Sequence, residues 1–187
     1  MIYIRNGVFE TNSSSSHSIV MMKKDQPIKT ELEGNMVDPG WYLNDDGKLH
    51  FWYRDLEFGR SPFELLTDWM GRLRYCIAYY SFYKNKIAEL EKICFKRVTG
   101  FTGFEFDKCH NGNSDMGYVD HQSAGVLESA LFSFDVGLED FIFNDRYIIV
   151  IDGDEYCVFD TLMETDMFNK NAVKKIIPKK RKDNGDL

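Results

Sequence analysis

Fourteen residues near the N-terminus, 5–18, concentrate groups that can do acid–base and anion chemistry. They supply a guanidinium, a carboxylate, an amide, an imidazole and serine hydroxyls, from Arg5, Glu10, Asn12, Ser13, Ser14, Ser15, Ser16, His17 and Ser18. Backbone N–H groups and hydroxyls of a serine-rich loop can converge on an anion, and Arg5 adds a planar fork for phosphate or carboxylate. Glu10 and His17 add a base and an acid. A flexible linker or a run of helix caps would also explain the serines, but a linker does not usually carry Arg, Glu and His at its edges.

A second polar segment, Asp120 to Ser123, lies between a predicted strand and a predicted helix. His121 follows an acid and is suited to general acid–base catalysis, while Gln122 and Ser123 could contact the same substrate. Taken alone, the segment also fits a core histidine followed by a serine that caps a helix.

Together the two segments hold the groups that metal-independent phosphodiester cleavage needs. Glu10, His17 and His121 offer a base for the 2′-hydroxyl and an acid for the leaving oxygen, and Arg5 offers a cation for the phosphorane. The sequence therefore predicts one pocket with these four residues in catalytic roles. The predicted contacts to substrate or anion are the amides and hydroxyls of Asn12, Ser13, Ser14, Ser15, Ser16, Ser18, Gln122 and Ser123. The same groups could bind a nucleotide without cutting it.

Neither a metal nor a cofactor is predicted. Asp152, Asp154 and Glu155 resemble an ion loop, but an Asp-Gly hairpin explains them and the calcium-loop pattern is absent. The four cysteines occur singly, without metal-ligand spacing, and Cys109 is adjacent to His110, so those two side chains are poorly placed to face each other. No signal peptide and no membrane-spanning apolar run is recognised, so we expect a reduced, cytoplasmic compartment.

The elements that must position the two segments are strands and one long helical stretch. Met1 to Ile4 and Ile19 to Met22 predict strands on either side of the first segment, and Asp-Gly turns predict hairpins between 41–43 and 49–53 and between 147–151 and 156–159. Ser61-Pro62-Phe63-Glu64 reads as a capping box that begins a helix, and an apolar stripe continues from there to Val98. The stripe predicts one long helix, or two helices bent near 81–85.

The rest of the chain adds short elements. Strands are predicted at 104–109 and 116–119, and short helices at 123–132 and 138–143. We therefore predict a single α+β domain over 1–169, with antiparallel hairpins packed on the amphipathic helix 62–98, and a basic, frayed tail over 170–187.

Charge disfavours simple nucleic-acid binding. The net charge of the chain is −7, and residues 1–169 carry 16 bases against 28 acids. Such a body repels a polyphosphate backbone and steers towards basic partners. We expect a basic protein or ribonucleoprotein partner, weak binding of free nucleic acid and no membrane, with aromatics near Trp41 and Trp52 as candidate contacts.

The segment from Arg5 to Ser18 resembles the N-terminal signature of small proteins of phages, prophages and plasmids in low-GC Gram-positive bacteria. In that signature an Arg-x-Gly-x-Phe-Glu-Thr-Asn-Ser-Ser-Ser run ends in His-Ser, and a downstream Asp-His-Gln-Ser recurs, here Asp120 to Ser123. The resemblance covers these two segments and little of the remaining chain. It extends to inhibitors of CRISPR–Cas9 that provoke truncation of the guide RNA, and it implies a Cas9-dependent ribonuclease or ribonuclease activator.

Two other functional classes stay open on the residues alone. A nucleotide-binding enzyme, such as an ADP-ribosyl transferase, could use Arg5, Glu10 and the serines to hold a dinucleotide. A non-catalytic inhibitor would use only the acidic surface.

Overall fold

The computed structural model of the chain describes residues 18–22, 36–59, 64–107, 117–120 and 123–151. In chain order these residues form β1 (Ser18–Met22), β2 (Lys48–Phe51), β3 (Glu57–Phe58), β4 (Glu64–Leu66), α1 (Trp69–Tyr79), α2 (Lys84–Arg97), β5 (Gly103–Phe106), β6 (Tyr118–Val119), α3 (Val126–Phe134), α4 (Leu138–Phe143) and β7 (Tyr147–Ile151). Short 3-10 turns occupy Gly40–Tyr42 and Tyr53–Leu56. The predicted α+β class and single domain are confirmed.

Strand β7 is central in the largest sheet of the described residues. All five of its residues, Tyr147–Ile151, are buried, as expected for a continuous apolar run covered on both faces. It pairs antiparallel with β1 on one side, Ser18 opposite Ile151, and with β4 on the other, Leu66 opposite Ile149. The sheet therefore joins the residue that ends the N-terminal polar segment to the middle and the late part of the chain.

The prediction of hairpins alone is wrong, because the other two strand pairs are parallel. β2 pairs with β5, Phe51 opposite Phe106, and β3 pairs with β6. The Asp-Gly turn exists, with Gly47 at φ 77°, but its hairpin is reduced to one antiparallel bridge between Leu43 and Leu49. Residues 40–42 form a 3-10 turn in place of the predicted strand, and β2 takes β5 as its partner.

The predicted helix over 62–98 is two helices, and its predicted start is wrong. Residues 64–66 are strand, and α1 begins after Asp68, whose side chain accepts a 2.6 Å hydrogen bond from the Gly71 N–H. The chain leaves helical geometry after Tyr79 and resumes it at Lys84, close to the predicted bend. The apolar stripe is correct, since α1 and α2 bury Leu73, Ile77, Leu90 and Cys94.

The later elements agree with the predictions to within a few residues. α4 and β7 have the predicted bounds, and β5, β6 and α3 lie within or near theirs. Met1 to Ile4, the strand 156–159 and the basic tail 170–187 fall outside the described residues. Among the described helices, none has both the length and the apolar character needed to cross a membrane.

Candidate functional site

Two of the predicted site residues, Ser18 and Ser123, belong to the described part of the chain. The others lie outside it: Arg5, Glu10, Asn12, Ser13, Ser14, Ser15, Ser16, His17, His121 and Gln122. The pairs Cys109–His110 and Asp152–Asp154 also lie outside it. The described geometry therefore concerns the anchors of the two polar segments.

Ser18 anchors the end of the first segment against helix α1. It is the first residue of β1, is 1% exposed, and its side chain lies close enough to the phenol of Tyr75 to act to lower the pKa of that phenol. Burial has the larger influence and raises the pKa of Tyr75 far above its usual value. The phenol is therefore neutral at physiological pH and does not serve as a base.

The second segment is anchored to the same helix through Tyr79. The backbone N–H of Gly125 donates a 2.7 Å hydrogen bond to the Tyr79 hydroxyl, which in turn donates to the carboxylate of Glu128 on α3. Burial raises the pKa of Tyr79, and the hydrogen bond and the charge of Glu128 raise it further. The neutral phenol thus fixes the start of α3 on the face of α1.

Asp120 connects the second segment to strand β3, and Ser123 is hydrogen-bonded to Asp120. The N–H of Asp120 donates to the carbonyl of Phe58 at 2.9 Å, and the N–H of Ser123 donates to the carbonyl of Asp120 at 2.8 Å. Ser123 is fully buried, and its hydroxyl has no hydrogen-bond partner within the described residues. The N-cap position of α3 is Gly125, so Ser123 is not the helix cap that its sequence context also allowed.

The two anchors occupy neighbouring turns of α1. The rings of Tyr75 and Tyr79 are 6.1 Å apart and nearly parallel, as residues four apart on one helix face can be. Tyr79 also meets Tyr80 edge-on at 5.1 Å, and Tyr80 is 6.4 Å from Tyr83. We call Tyr75, Tyr79 and Tyr80 the tyrosine face. It gives both polar segments one rigid support.

Aromatic residues at helical spacing usually pack into the core. Tyr75 and Tyr80 are indeed buried, but Tyr79 is half-buried and its hydroxyl is used. The signal available in the sequence was the spacing of Tyr75 and Tyr79, which lie four residues apart and therefore share one face of a helix.

Cys76 lies on α1 between Tyr75 and Tyr79, and Cys94 lies on α2. Both are free and buried, and burial raises the pKa of each thiol far above its usual value. Since the thiolate is the nucleophile, neither is poised for nucleophilic catalysis.

A separate polar surface covers the outer face of the β2–β5 pair, and of its residues the sequence analysis named Trp52 but missed His50 and Asp107. His50 Nε2 lies 3.1 Å from Asp107 Oδ1, and the His50 ring meets the indole of Trp52 at 4.9 Å. Glu105, directly opposite His50, accepts a 2.9 Å hydrogen bond from Asn44. The alternation Leu49-His50-Phe51-Trp52, with Leu49 and Phe51 buried, was the signal that His50 and Trp52 share an outer face.

Within the residues that the structure describes, no group of three or more His, Cys, Asp and Glu side chains could hold a metal ion. The chain matches no family model, no curated protein and no solved structure.

Proposed function

We propose that the protein is a mobile-element-encoded inhibitor of CRISPR–Cas9 that acts through cleavage of the guide RNA at a metal-independent ribonuclease-like site. The site would combine the segment that ends at Ser18 with the segment that begins at Asp120. One observation carries this proposal: Ser18 lies against Tyr75, Gly125 donates a hydrogen bond to the Tyr79 hydroxyl, and the rings of these two tyrosines are 6.1 Å apart. His17 is bonded to Ser18 and His121 to Asp120, so chain connectivity favours a common pocket.

The proposed chemistry is a transesterification within the RNA. A base, Glu10 or His17, takes the proton of a 2′-hydroxyl, and the 2′-oxygen attacks the adjacent phosphorus. An imidazole, with His121 available, returns a proton to the departing 5′-oxygen, which leaves a cyclic phosphate and a free 5′-hydroxyl. Arg5 and the serine loop stabilise the charge of the phosphorane.

The expected partner is a basic protein or ribonucleoprotein, with Cas9 and its guide as the proposed case in the host-cell cytoplasm. Residues 1–169 carry 28 acids against 16 bases, which favours association with the basic channels of a nucleic-acid-binding protein over free RNA. The guide RNA would then be met while it is bound to the nuclease.

The test is to incubate the protein with Cas9 and its guide, with and without a chelator, and to size the RNA while measuring capture of the nuclease. His17→Ala and Arg5→Ala should abolish truncation of the guide and leave capture intact. His110→Ala is the matched control, because it removes an imidazole that lies outside both polar segments of the sequence, and it should leave truncation unchanged.

The outcomes separate the three functional classes. An intact guide with the unaltered protein defeats the ribonuclease proposal. If inhibition survives in both variants, the protein is a non-catalytic binder. If free nucleotide raises the melting temperature and the RNA is intact, the nucleotide-binding class is favoured.

A further inference from the structure

Trp52 presents an exposed indole in a fixed orientation. Its residue is 61% exposed, although it directly follows the half-buried strand β2. Its backbone N–H donates to Asp55 Oδ2 at 3.1 Å, and the His50 ring meets its ring edge-on, at an interplanar angle of 89°. One contact therefore holds the Trp52 backbone, and the other orients an aromatic ring that solvent reaches.

The His50 ring, which contacts the indole, is itself held by Asp107. Its Nε2 lies 3.1 Å from a carboxylate oxygen of Asp107. The side chains of His50 and Asp107 are 26% and 33% exposed, so they form a partly shielded support beneath the indole. A ring that is fixed before binding loses little conformational entropy when a partner stacks on it.

The surroundings of Trp52 are acidic. Residues 44–57 and 103–107 carry six carboxylates against two cations, Lys48 and Arg54. Asp55 contacts the Trp52 backbone, and Glu105 and Asp107 share the outer face of the β2–β5 pair. This charge attracts a cationic group to the indole and repels phosphate.

We propose that this outer face is a docking site for an arginine side chain of a basic polypeptide partner, with the guanidinium stacked on Trp52 and paired with the neighbouring carboxylates. Arginine fits better than lysine because its planar, weakly hydrated guanidinium stacks on an aromatic ring and bonds carboxylates through two N–H groups. This inference rests on the proposed function for one point, that the partner is a basic protein. Its test involves no RNA cleavage, so the docking proposal and the ribonuclease proposal can fail independently.

The experiment uses the full-length chain and three probes at physiological salt: an oligoarginine peptide, an oligolysine peptide of equal charge, and a single-stranded oligonucleotide. Oligoarginine should bind more tightly than oligolysine, and Trp52→Ala should weaken its binding about fivefold. Phe82→Ala is the matched control, since Phe82 is 86% exposed but is followed by the cations Lys84 and Lys86. It should leave binding unchanged.

A second measurement does not depend on how the variant folds. The indole N–H resonance of Trp52, assigned by its loss in Trp52→Phe, should shift on titration of the unaltered protein with oligoarginine. Equal binding of the two peptides with no effect of Trp52→Ala overturns the proposal. Tighter binding of the oligonucleotide that depends on Trp52 also overturns it, because the indole would then be a platform for bases.

Discussion

Arg72 is a fully buried cation that joins α1 to three other parts of the chain. Its Nε donates to the Ile142 carbonyl at 2.8 Å, and its Nη1 donates to the carbonyls of Thr67 and Tyr147 at 2.7 and 2.9 Å. Its Nη2 pairs with Asp145 at 3.2 Å. Burial lowers the pKa of Arg72, and the hydrogen bond and charge of Asp145 oppose that shift. One side chain thus connects α1, the end of β4, α4 and β7.

We predict that Arg72→Ala lowers the free energy of unfolding by about 3–5 kcal/mol, since buried carbonyls lose their donors and a cavity remains. Arg74→Ala is the control. Its guanidinium donates to the Asp55 carbonyl and contacts Glu64 with a side chain that is 20% exposed, so about 1 kcal/mol is expected. Denaturant midpoints at unchanged m-value measure both. Equal losses would contradict the role given to Arg72.

At the level of elements, local signals were predictable and long-range pairings were not. β7 follows from an unbroken apolar run over 147–151, and α4 follows from apolar residues at helical spacing, Leu138, Phe141 and Ile142. The start of α1 was missed because Glu64–Leu66 fits the helical stripe as well as a strand, and its pairing with β7 decides between them. The parallel register of Phe51 with Phe106 joins residues far apart in sequence, and no turn signal specifies it.

Gly117, at the entry to β6, shows how tightly one of these parallel pairs is packed. Its φ is 79°, and a Cβ atom there would lie 2.2 Å from the Leu56 carbonyl oxygen. We predict that Gly117→Ala costs about 3 kcal/mol or more, because a left-handed backbone strain of about 1 kcal/mol is added to a clash with backbone. Thermal or denaturant unfolding measures the loss.

Two other glycines separate the contributions. Gly40 has φ 60° with open space around a Cβ, so Gly40→Ala should cost only the strain of about 1 kcal/mol. Gly137 has φ −83° and open space, so Gly137→Ala should be nearly neutral. If Gly117→Ala and Gly40→Ala cost the same, then the close approach to Leu56 does not matter.

For the whole molecule, buried phenols make stability sensitive to alkali. Burial is the main cause that raises the pKa of Tyr75, Tyr79, Tyr80 and Tyr147, and for Tyr147 the pKa rises to about 12. Since a tyrosine in the unfolded chain titrates near 10, the unfolded state releases its protons first. The contribution of these groups is complete below about pH 10 and is lost as the pH rises through their folded pKa values.

We predict that Tyr147→Phe flattens the fall of stability with pH. Between about pH 10 and about pH 12 each such tyrosine contributes a slope of up to about 1.4 kcal/mol per pH unit, and this variant removes one. Tyr147 is buried and its hydroxyl lies 3.4 Å from Asp140 Oδ2, so a modest loss near neutral pH is also expected. Denaturant unfolding at a series of alkaline pH values measures the slope. A slope equal to that of the unaltered protein would contradict the prediction.

The sequence identified the two polar segments but not what supports them. Composition and spacing point to the residues from Arg5 to Ser18 and from Asp120 to Ser123, because these residue types can take part in acid–base and anion chemistry. That Ser18 meets Tyr75 and Gly125 meets Tyr79 depends on the sheet and helix packing, which local pattern does not encode. His50 and Asp107 escaped notice for the same reason, because their contact requires the parallel pairing of β2 with β5.

The pairing of β1 with β7 has a consequence for synthesis on the ribosome. Ser18 pairs with Ile151 in the sheet, so the pairing of β1 with β7 cannot be completed until 133 further residues have been synthesised after Ser18. At ordinary translation rates this delay is on the order of ten seconds. β4 pairs with the same strand, so both β1 and β4 stay unpaired until β7, which ends 85 residues after Leu66, has been synthesised. A chaperone that recognises extended apolar segments has that interval in which to act, and Ser18, which ends the first polar segment, takes its place in the sheet only after the interval.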